Sequence, residues 1–186
     1  MQAYLILANG RILKGKSLGC QGTTVGEVVF ATGMVGFEET LTDPSYYGQL
    51  VVYTFPQFGN YGICRKDMES PHCQMGGVVV REYCQEPSNF RCDATVDTFL
   101  KEQNVVGIAG VDTRMLTQMI RDGGVMNAII TTEETKPDLE VLKTYRVSSP
   151  WRTPAPKRRM TFPPRAKKSS LWPCWTTAQR AASPTP

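Results

Sequence analysis

A hydroxyl placed on a turn is the first feature of the chain that could bind a small molecule. Ser45 follows Asp43 and Pro44 within the segment 41–62. These residues predict a tight turn, because Pro44 fixes its own φ and the Asp43 carboxylate can accept hydrogen bonds from backbone amides. Binding groups are common on turns beside rigid strands, and a serine hydroxyl both donates and accepts hydrogen bonds. A plain corner with Ser45 as a local cap is the alternative interpretation.

The cysteine and histidine residues form no recognisable catalytic or metal-binding set. The cysteines are Cys20, Cys64, Cys73, Cys84, Cys92 and Cys174, and none forms a C-x-x-C pair. Because no export signal is recognised, we expect reduced thiols in a cytoplasmic protein. The candidate zinc ligands are Cys64, His72, Cys73 and Cys84. Their spacing fits no common pattern, so a zinc site is the less favoured alternative. The single histidine is predicted to be a solvated loop residue, with a general base as the other interpretation.

Motifs of several large enzyme classes are missing. The chain contains neither the G-x-x-x-x-G-K-[ST] phosphate-binding motif nor a G-x-G-x-x-G motif after a predicted strand. No Cys or Ser lies on a glycine-flanked strand-turn-helix elbow of the kind that presents a nucleophile. No run of about 18 apolar residues occurs, so we expect no membrane span. These absences favour a scaffold or binding domain over a self-contained catalyst.

The elements that hold Ser45 are predicted from hydrophobic periodicity and turn residues. Strands are predicted over 3–7, 11–14, 26–32, 49–55, 77–81, 105–109 and 126–131, and helices over 37–41, 95–103, 113–122 and 137–145. The segment 63–75 is predicted to be a surface loop. Asp112 is the expected N-cap of the third helix, which Gly123 and Gly124 end. A β-rich first half followed by β-α-β-α-β predicts a mixed α+β domain over residues 1–146.

The charges divide the chain into two parts. Residues 1–146 carry 13 Lys/Arg and 17 Asp/Glu, a net charge of −4, whereas residues 147–186 carry 8 Lys/Arg and no acid, a net charge of +8. The second part lacks hydrophobic periodicity and holds 8 of the 13 prolines. It is therefore predicted to be a disordered, basic, Pro-rich tail. A non-catalytic binding module with a nucleic-acid-binding tail is the alternative function, although residues 1–146 show no matching basic face.

Four segments of the chain, in this order and at this spacing, match one protein family. They are Gly26–Gly62, Asp67–Ser70, Pro87–Arg91 and Val105–Gly124. The specific signatures within the match are Gly26–Phe30, Leu41–Tyr46 and Asp112–Arg114. These segments resemble the small chain of glutamine-dependent carbamoyl-phosphate synthase. The resemblance covers residues 1 to about 146 and does not depend on any single turn motif.

The resemblance implies an N-terminal domain of the swivelling β/β/α type, which precedes a class I glutaminase domain. In the family, a Cys-His-Glu set hydrolyses glutamine, and the ammonia passes to a large subunit that uses ATP and Mg. That subunit makes carbamoyl phosphate for pyrimidines and arginine, and the N-terminal domain docks on it. By resemblance Ser45 contacts the substrate glutamine, whereas Asp112 and Arg114 are structural or interfacial. We expect no catalytic residue, cofactor, metal, nucleic acid or membrane partner for this chain.

The tail departs from the family. The glutaminase domain should begin at about position 170 and supply a cysteine in a Gly-rich elbow, yet Cys174 lies in LWPCWTT. We therefore expect the chain to be inactive alone. One set of synonymous codons can encode Leu171–Pro184 and, when the reading frame starts at its third base, also encodes VALLDYGAKSSIA. This second sequence resembles the start of the family's glutaminase domain. This favours a frameshift between about residues 146 and 168. The nucleotide sequence tests it, and the absence of a downstream glutaminase frame would reject it.

Overall fold

The computed structural model describes residues 1–133 and 139–146. Its strands are β1 Gln2–Leu7, β2 Ile12–Gly19, β3 Thr23–Ala31, β4 Leu50–Tyr53, β5 Gln57–Phe58, β6 Gly77–Val80, β7 Glu82–Tyr83, β8 Val106–Ala109 and β9 Met126–Thr131. Its helices are α1 Phe37–Thr42, α2 Val96–Glu102, α3 Thr113–Gly123 and α4 Leu139–Thr144, and a 3₁₀ turn covers Pro44–Tyr46. The predicted mixed α+β class is confirmed.

The long strands form a closed barrel in the order β1-β2-β8-β6-β4-β3-β9. The strands β3, β4, β6 and β8 are joined by parallel pairings, and the remaining neighbours in the barrel are antiparallel. Every residue of β4, β6 and β8 is buried. This burial explains their continuous apolar sequences, because parallel strands are covered on both faces and do not alternate with polar residues.

Alternating side chains of these strands enter two apolar clusters. Leu50, Val52 and Val79 join a cluster that also contains Leu116 and Ile120 of α3. Val51, Val78 and Val80 join a second cluster with the buried side chains of α1 and α2. Successive side chains of a strand point to opposite faces of the sheet, so each strand contributes to both clusters. Helix α3 packs against the first cluster, and α1, which leads to Ser45, packs against the second.

Tertiary pairing extends or shortens several predicted elements. The strand predicted over 11–14 continues to Gly19, because residues 16–19 pair with β8. The strand predicted to start at Gly26 starts at Thr23, which pairs with Thr131 of β9. The predicted strand 49–55 is shorter, and β4 ends at Tyr53. These changes follow from pairing partners that are distant in sequence, which a local pattern does not report.

The prediction of a surface loop over 63–75 is wrong in part. Ile63, Cys64 and Met75 are buried in this segment. Ile63 forms a bridge with Ala94, and Met75 forms a bridge with Tyr47. The two-residue strands β5 and β7, which pair in parallel, were not predicted because they are too short to show a period. The two ends of the segment thus pack into the domain, whereas residues 65–74 are exposed or partly exposed, as predicted.

Substitution of Gly19 by alanine is expected to lower the free energy of unfolding by about 2 kcal/mol. Gly19 has φ +73°, and an added Cβ would lie 2.5 Å from the Val105 carbonyl oxygen and 2.7 Å from Leu100 Cβ. Gly36→Ala is the matched control, because Gly36 has nearly the same φ, +74°, but no atom closer than 3.6 Å to an added Cβ. Urea unfolding of both variants measures the difference. Equal losses would show that the crowding at Gly19 is unimportant.

Candidate functional site

Ser45 lies on the 3₁₀ turn that directly follows α1. The Ser45 amide donates a hydrogen bond to Asp43 Oδ1 at 2.8 Å, and the Tyr46 amide donates to the Asp43 carbonyl at 3.2 Å. Asp43 is therefore the cap that the sequence predicted for this turn, and the alternative of Ser45 as the cap is wrong. Ser45 is exposed, and its hydroxyl makes no hydrogen bond within the described residues. The hydroxyl is free to contact a ligand.

A concavity of about 420 Å³ adjoins this turn. It is lined by Glu39, Thr40, Asp43, Pro44, Tyr46 and Glu69. Two of these residues flank Ser45 in sequence, and three carry carboxylates. Carboxylates attract an ammonium group, and a serine hydroxyl can bind either a carboxylate or an amide. Ser45 does not itself line the concavity, so the surroundings of the turn offer carboxylates for an ammonium group, and the Ser45 hydroxyl lies beside them.

Loss of the Asp43 cap is expected to lower the free energy of unfolding by about 1 kcal/mol. In Asp43→Ala the Ser45 amide loses its acceptor, whereas Asp43→Asn keeps a side-chain oxygen at the same place. Thermal unfolding gives the stability, and the amide resonance of Ser45 reports the local change. An alanine variant as stable as the asparagine variant would contradict this role of the cap.

Hydrogen bonds tie α1 to the segment 63–75 and so fix the position of the turn. Glu38 Oε1 accepts from the Cys64 amide at 2.6 Å. Thr42 Oγ1 accepts from the Glu69 amide at 3.0 Å, and Ser70 Oγ donates to the Thr42 carbonyl at 2.7 Å. Both Glu38 and Thr42 are buried. These bonds hold the end of α1, to which Ser45 is joined through Asp43.

Glu38 is a buried acid that the sequence interpretation missed. Glu38 is 3% exposed, and this burial raises the pKa of its carboxyl group to about 7. The nearby carboxylates of Asp67, Glu39 and Asp93 raise the pKa further, while the hydrogen bond from the Cys64 amide opposes the shift. Helical spacing is the sequence signal that could have predicted the burial of Glu38, since this residue lies three residues before Leu41 and four before Thr42, both of which face inward.

The other candidate residues do not come together. His72 is exposed, and Cys64 is buried. Burial raises the pKa of the Cys73 thiol to about 11. No group of three or more His, Cys, Asp or Glu side chains suited to a metal occurs within residues 1–133 and 139–146, which include all four candidate zinc ligands. Cys174 and the residues 147–186 lie outside the described part of the chain.

The Asp112–Arg114 signature lies at the start of α3. Asp112 Oδ1 accepts from the Met115 amide at 3.0 Å, so Asp112 is the N-cap of α3, as predicted. Arg114 is exposed on the first turn of the helix.

In the described part of the chain, no helix combines the length and apolar character needed to cross a lipid bilayer.

Sequence comparison decides the family. A family described as carbamoyl-phosphate synthase small chain, CPSase domain, matches residues 5–130. The chain belongs to the carbamoyl-phosphate synthase small-chain family. The match spans the barrel strands, α1, α2, α3 and the turn of Ser45. It agrees with the segments from which the resemblance was inferred.

Individual relatives give the same result. The carbamoyl phosphate synthase small chain of Clostridium perfringens is 50% identical over 135 residues, which are 73% of this chain and 39% of the relative. The small chain of Lawsonia intracellularis is 47% identical over 149 residues, which are 80% of this chain and 40% of the relative. The chain thus spans about 40% of the length of the curated relatives that it matches. These matches correspond to the N-terminal part of the small chain, and they do not favour the alternative of a nucleic-acid-binding module.

Similarity to solved structures adds no functional information. An aminopeptidase from Aneurinibacillus sp. strain AM-1 aligns with a TM-score of 0.39 and 14% sequence identity. The alignment covers 69% of this chain and 30% of the aminopeptidase. A likeness of this size supports no statement about activity.

Proposed function

We propose that this chain is the large-subunit-docking N-terminal domain of a carbamoyl-phosphate synthase small chain, and that Ser45 contributes to the glutamine site of the intact protein. The family match over residues 5–130 is the observation that carries the proposal. The barrel with flanking helices is compatible with the swivelling β/β/α class of the family, which we assign by the same resemblance. Domain boundaries at 1–146 and 147–186 remain a prediction.

The chemistry of the intact enzyme is divided between parts that this chain contains and parts that it does not. Glutamine hydrolysis needs a thiolate nucleophile, a histidine base and an orienting acid, which the family holds in its glutaminase domain. Ammonia would then pass to the large subunit, where ATP and Mg act, in pyrimidine and arginine synthesis. The present chain would supply the docking surface and one wall of the glutamine site. We place this function in the cytoplasm, in line with the family.

The geometry of the turn supports the role of Ser45. The hydroxyl is exposed and unpaired within the described residues, while Asp43 satisfies the amide of the same residue. Glu39, Asp43 and Glu69 line the adjoining concavity. These carboxylates would favour the α-ammonium of glutamine, and the hydroxyl would bind its polar groups. Ser45 is here a substrate-binding residue and not a nucleophile.

Replacement of the serine of the D-P-S-Y segment in an intact small chain of the family tests this role. We expect the KM for glutamine of the alanine variant, assembled with its large subunit, to be about tenfold higher than that of the wild type. The reason is that the variant loses a hydrogen bond to the ligand, and a loss of about 1.4 kcal/mol corresponds to a tenfold weaker interaction. Synthesis from added ammonia should stay unchanged, because that route does not use the glutamine site. A variant with the wild-type KM for glutamine would refute the role of Ser45. An equal loss with ammonia would indicate damage to the assembly instead.

A further inference from the structure

A second concavity lies at the opposite end of α1 from Ser45. We call it the Glu38 cavity. Its volume is about 500 Å³. Its lining residues are Met34, Val35, Gly36, Phe37, Glu38, Glu39, Phe55, Asn60, Tyr61 and Asp67. Five of the ten residues have apolar or aromatic side chains, and three carry carboxyl groups. The cavity therefore combines apolar walls with negative charge.

The buried acid in this cavity has no cationic partner among the described residues. Glu38 Oε1 accepts from the Cys64 amide, and no Lys or Arg in the described part of the chain forms an ion pair with Glu38 or Glu39. Asp67 is paired with Arg91 at 2.8 Å. Buried charges in proteins are normally paired, because the removal of an ion from water is costly. A cation from outside the described residues would supply the missing partner of Glu38.

The mouth of the cavity is unusually apolar for exposed surface. Met34 is 74% exposed, Val35 is 86% exposed, and Tyr61 is 43% exposed. Exposed apolar groups next to a concave site are typical of protein interfaces, where aromatic and arginine anchors dominate. A partner that fits must bring a cation for the interior and apolar surface for the mouth.

We propose that the Glu38 cavity receives an arginine side chain of a partner protein, whose guanidinium pairs with Glu38 while neighbouring apolar residues cover Met34 and Val35. Arginine suits the site better than lysine, because its planar guanidinium binds a carboxylate through two hydrogen bonds and stacks on aromatic rings. Phe37, Phe55 and Tyr61 supply such rings in the wall. The identification of the partner as the large subunit rests on the proposed function. The presence of an arginine pocket does not.

A small probe tests the pocket without the large subunit. The full chain is titrated with N-acetyl-arginine methylamide and, as a neutral analogue of the same shape, N-acetyl-citrulline methylamide. We expect saturable NMR shifts of the Cys64 amide and the Met34 methyl group with the arginine probe only. The shifts should vanish in Glu38→Gln and persist in Glu86→Gln, which alters an exposed acid outside the cavity. Equal shifts with citrulline, no saturable shift, or unchanged binding by Glu38→Gln would overturn the proposal.

Binding to the large subunit tests the choice of partner. Glu38→Gln is expected to raise the Kd at least tenfold, and Glu86→Gln is expected to change it less than twofold. Wild-type binding that Glu38→Gln leaves unaltered would refute the arginine contact while the proposed function stands. If the wild-type chain does not bind the large subunit, the proposed function fails, and the arginine probe alone then decides whether the pocket exists.

Discussion

Glu38→Gln is expected to flatten the pH dependence of the free energy of unfolding and to stabilise the protein at about pH 8 by about 3 kcal/mol. Burial raises the pKa of Glu38 from 4.5 to about 7 in the folded protein. Between these values the folded state keeps a proton that the unfolded state has lost. The stabilising contribution of the protonated acid is therefore complete below pH 4.5 and is lost as the pH rises through about 7. Glutamine is neutral throughout and removes this slope.

Urea unfolding of the wild type and the variant at several pH values between about 4 and 8 measures this effect. Glu86→Gln is the matched control, because it removes the same formal charge from an exposed position that does not contribute to the raised pKa of Glu38. The control should keep the wild-type slope. Both protonation states of Glu38 can accept from the Cys64 amide, so the change is expected in stability and not in the position of α1. Parallel curves for the wild type and Glu38→Gln would contradict the buried acid.

The purified 186-residue chain is expected to hydrolyse glutamine no faster than the buffer, at least about a thousandfold slower than an intact relative in complex with its large subunit. Two of the described cysteines, Cys64 and Cys73, lack the surroundings of a nucleophile. Cys64 is buried, and the raised pKa of Cys73, about 11, leaves little thiolate at neutral pH. His72 is exposed, and no described contact joins its ring to a thiol.

Ammonia release, followed with a coupled assay, tests this expectation. The intact C. perfringens small chain with its large subunit is the positive control, and the heat-denatured chain gives the background. Cys174→Ala separates a genuine activity from a contaminant. Glutamine hydrolysis by the pure chain that Cys174→Ala abolishes would overturn the prediction, because the tail would then hold a working nucleophile.

Local sequence signals predicted the elements around the site well. Asp43 caps the turn of Ser45, and Asp112 caps α3, because a short acidic side chain before a helix binds its free amides. The continuous apolar run of β6 predicted its full burial. Gly59 and Gly62 both have positive φ, as expected for the second turn of the segment 41–62. Each of these features depends on residues within a few positions of one another.

Features that depend on distant residues were missed. The barrel closes because β1 pairs with β9, more than 120 residues later in the chain. The short strands β5 and β7 form only because each finds the other. Glu38 is acidic and would be assigned to solvent, yet the hydrogen bond from Cys64 and the burial of α1 hold it inside. Its raised pKa results from tertiary surroundings that no local pattern contains.

Binding of the 186-residue chain to the large subunit of carbamoyl-phosphate synthase is the most direct test of the proposed function. Calorimetry at about 0.15 M salt limits non-specific attraction to the basic residues 147–186, because screening acts beyond about 8 Å. We expect a one-to-one complex with a Kd tighter than about 1 μM, displaced by an intact small chain. The absence of a complex at both low and moderate salt, or a complex that the intact small chain does not displace, would contradict the assignment of this chain as the docking domain.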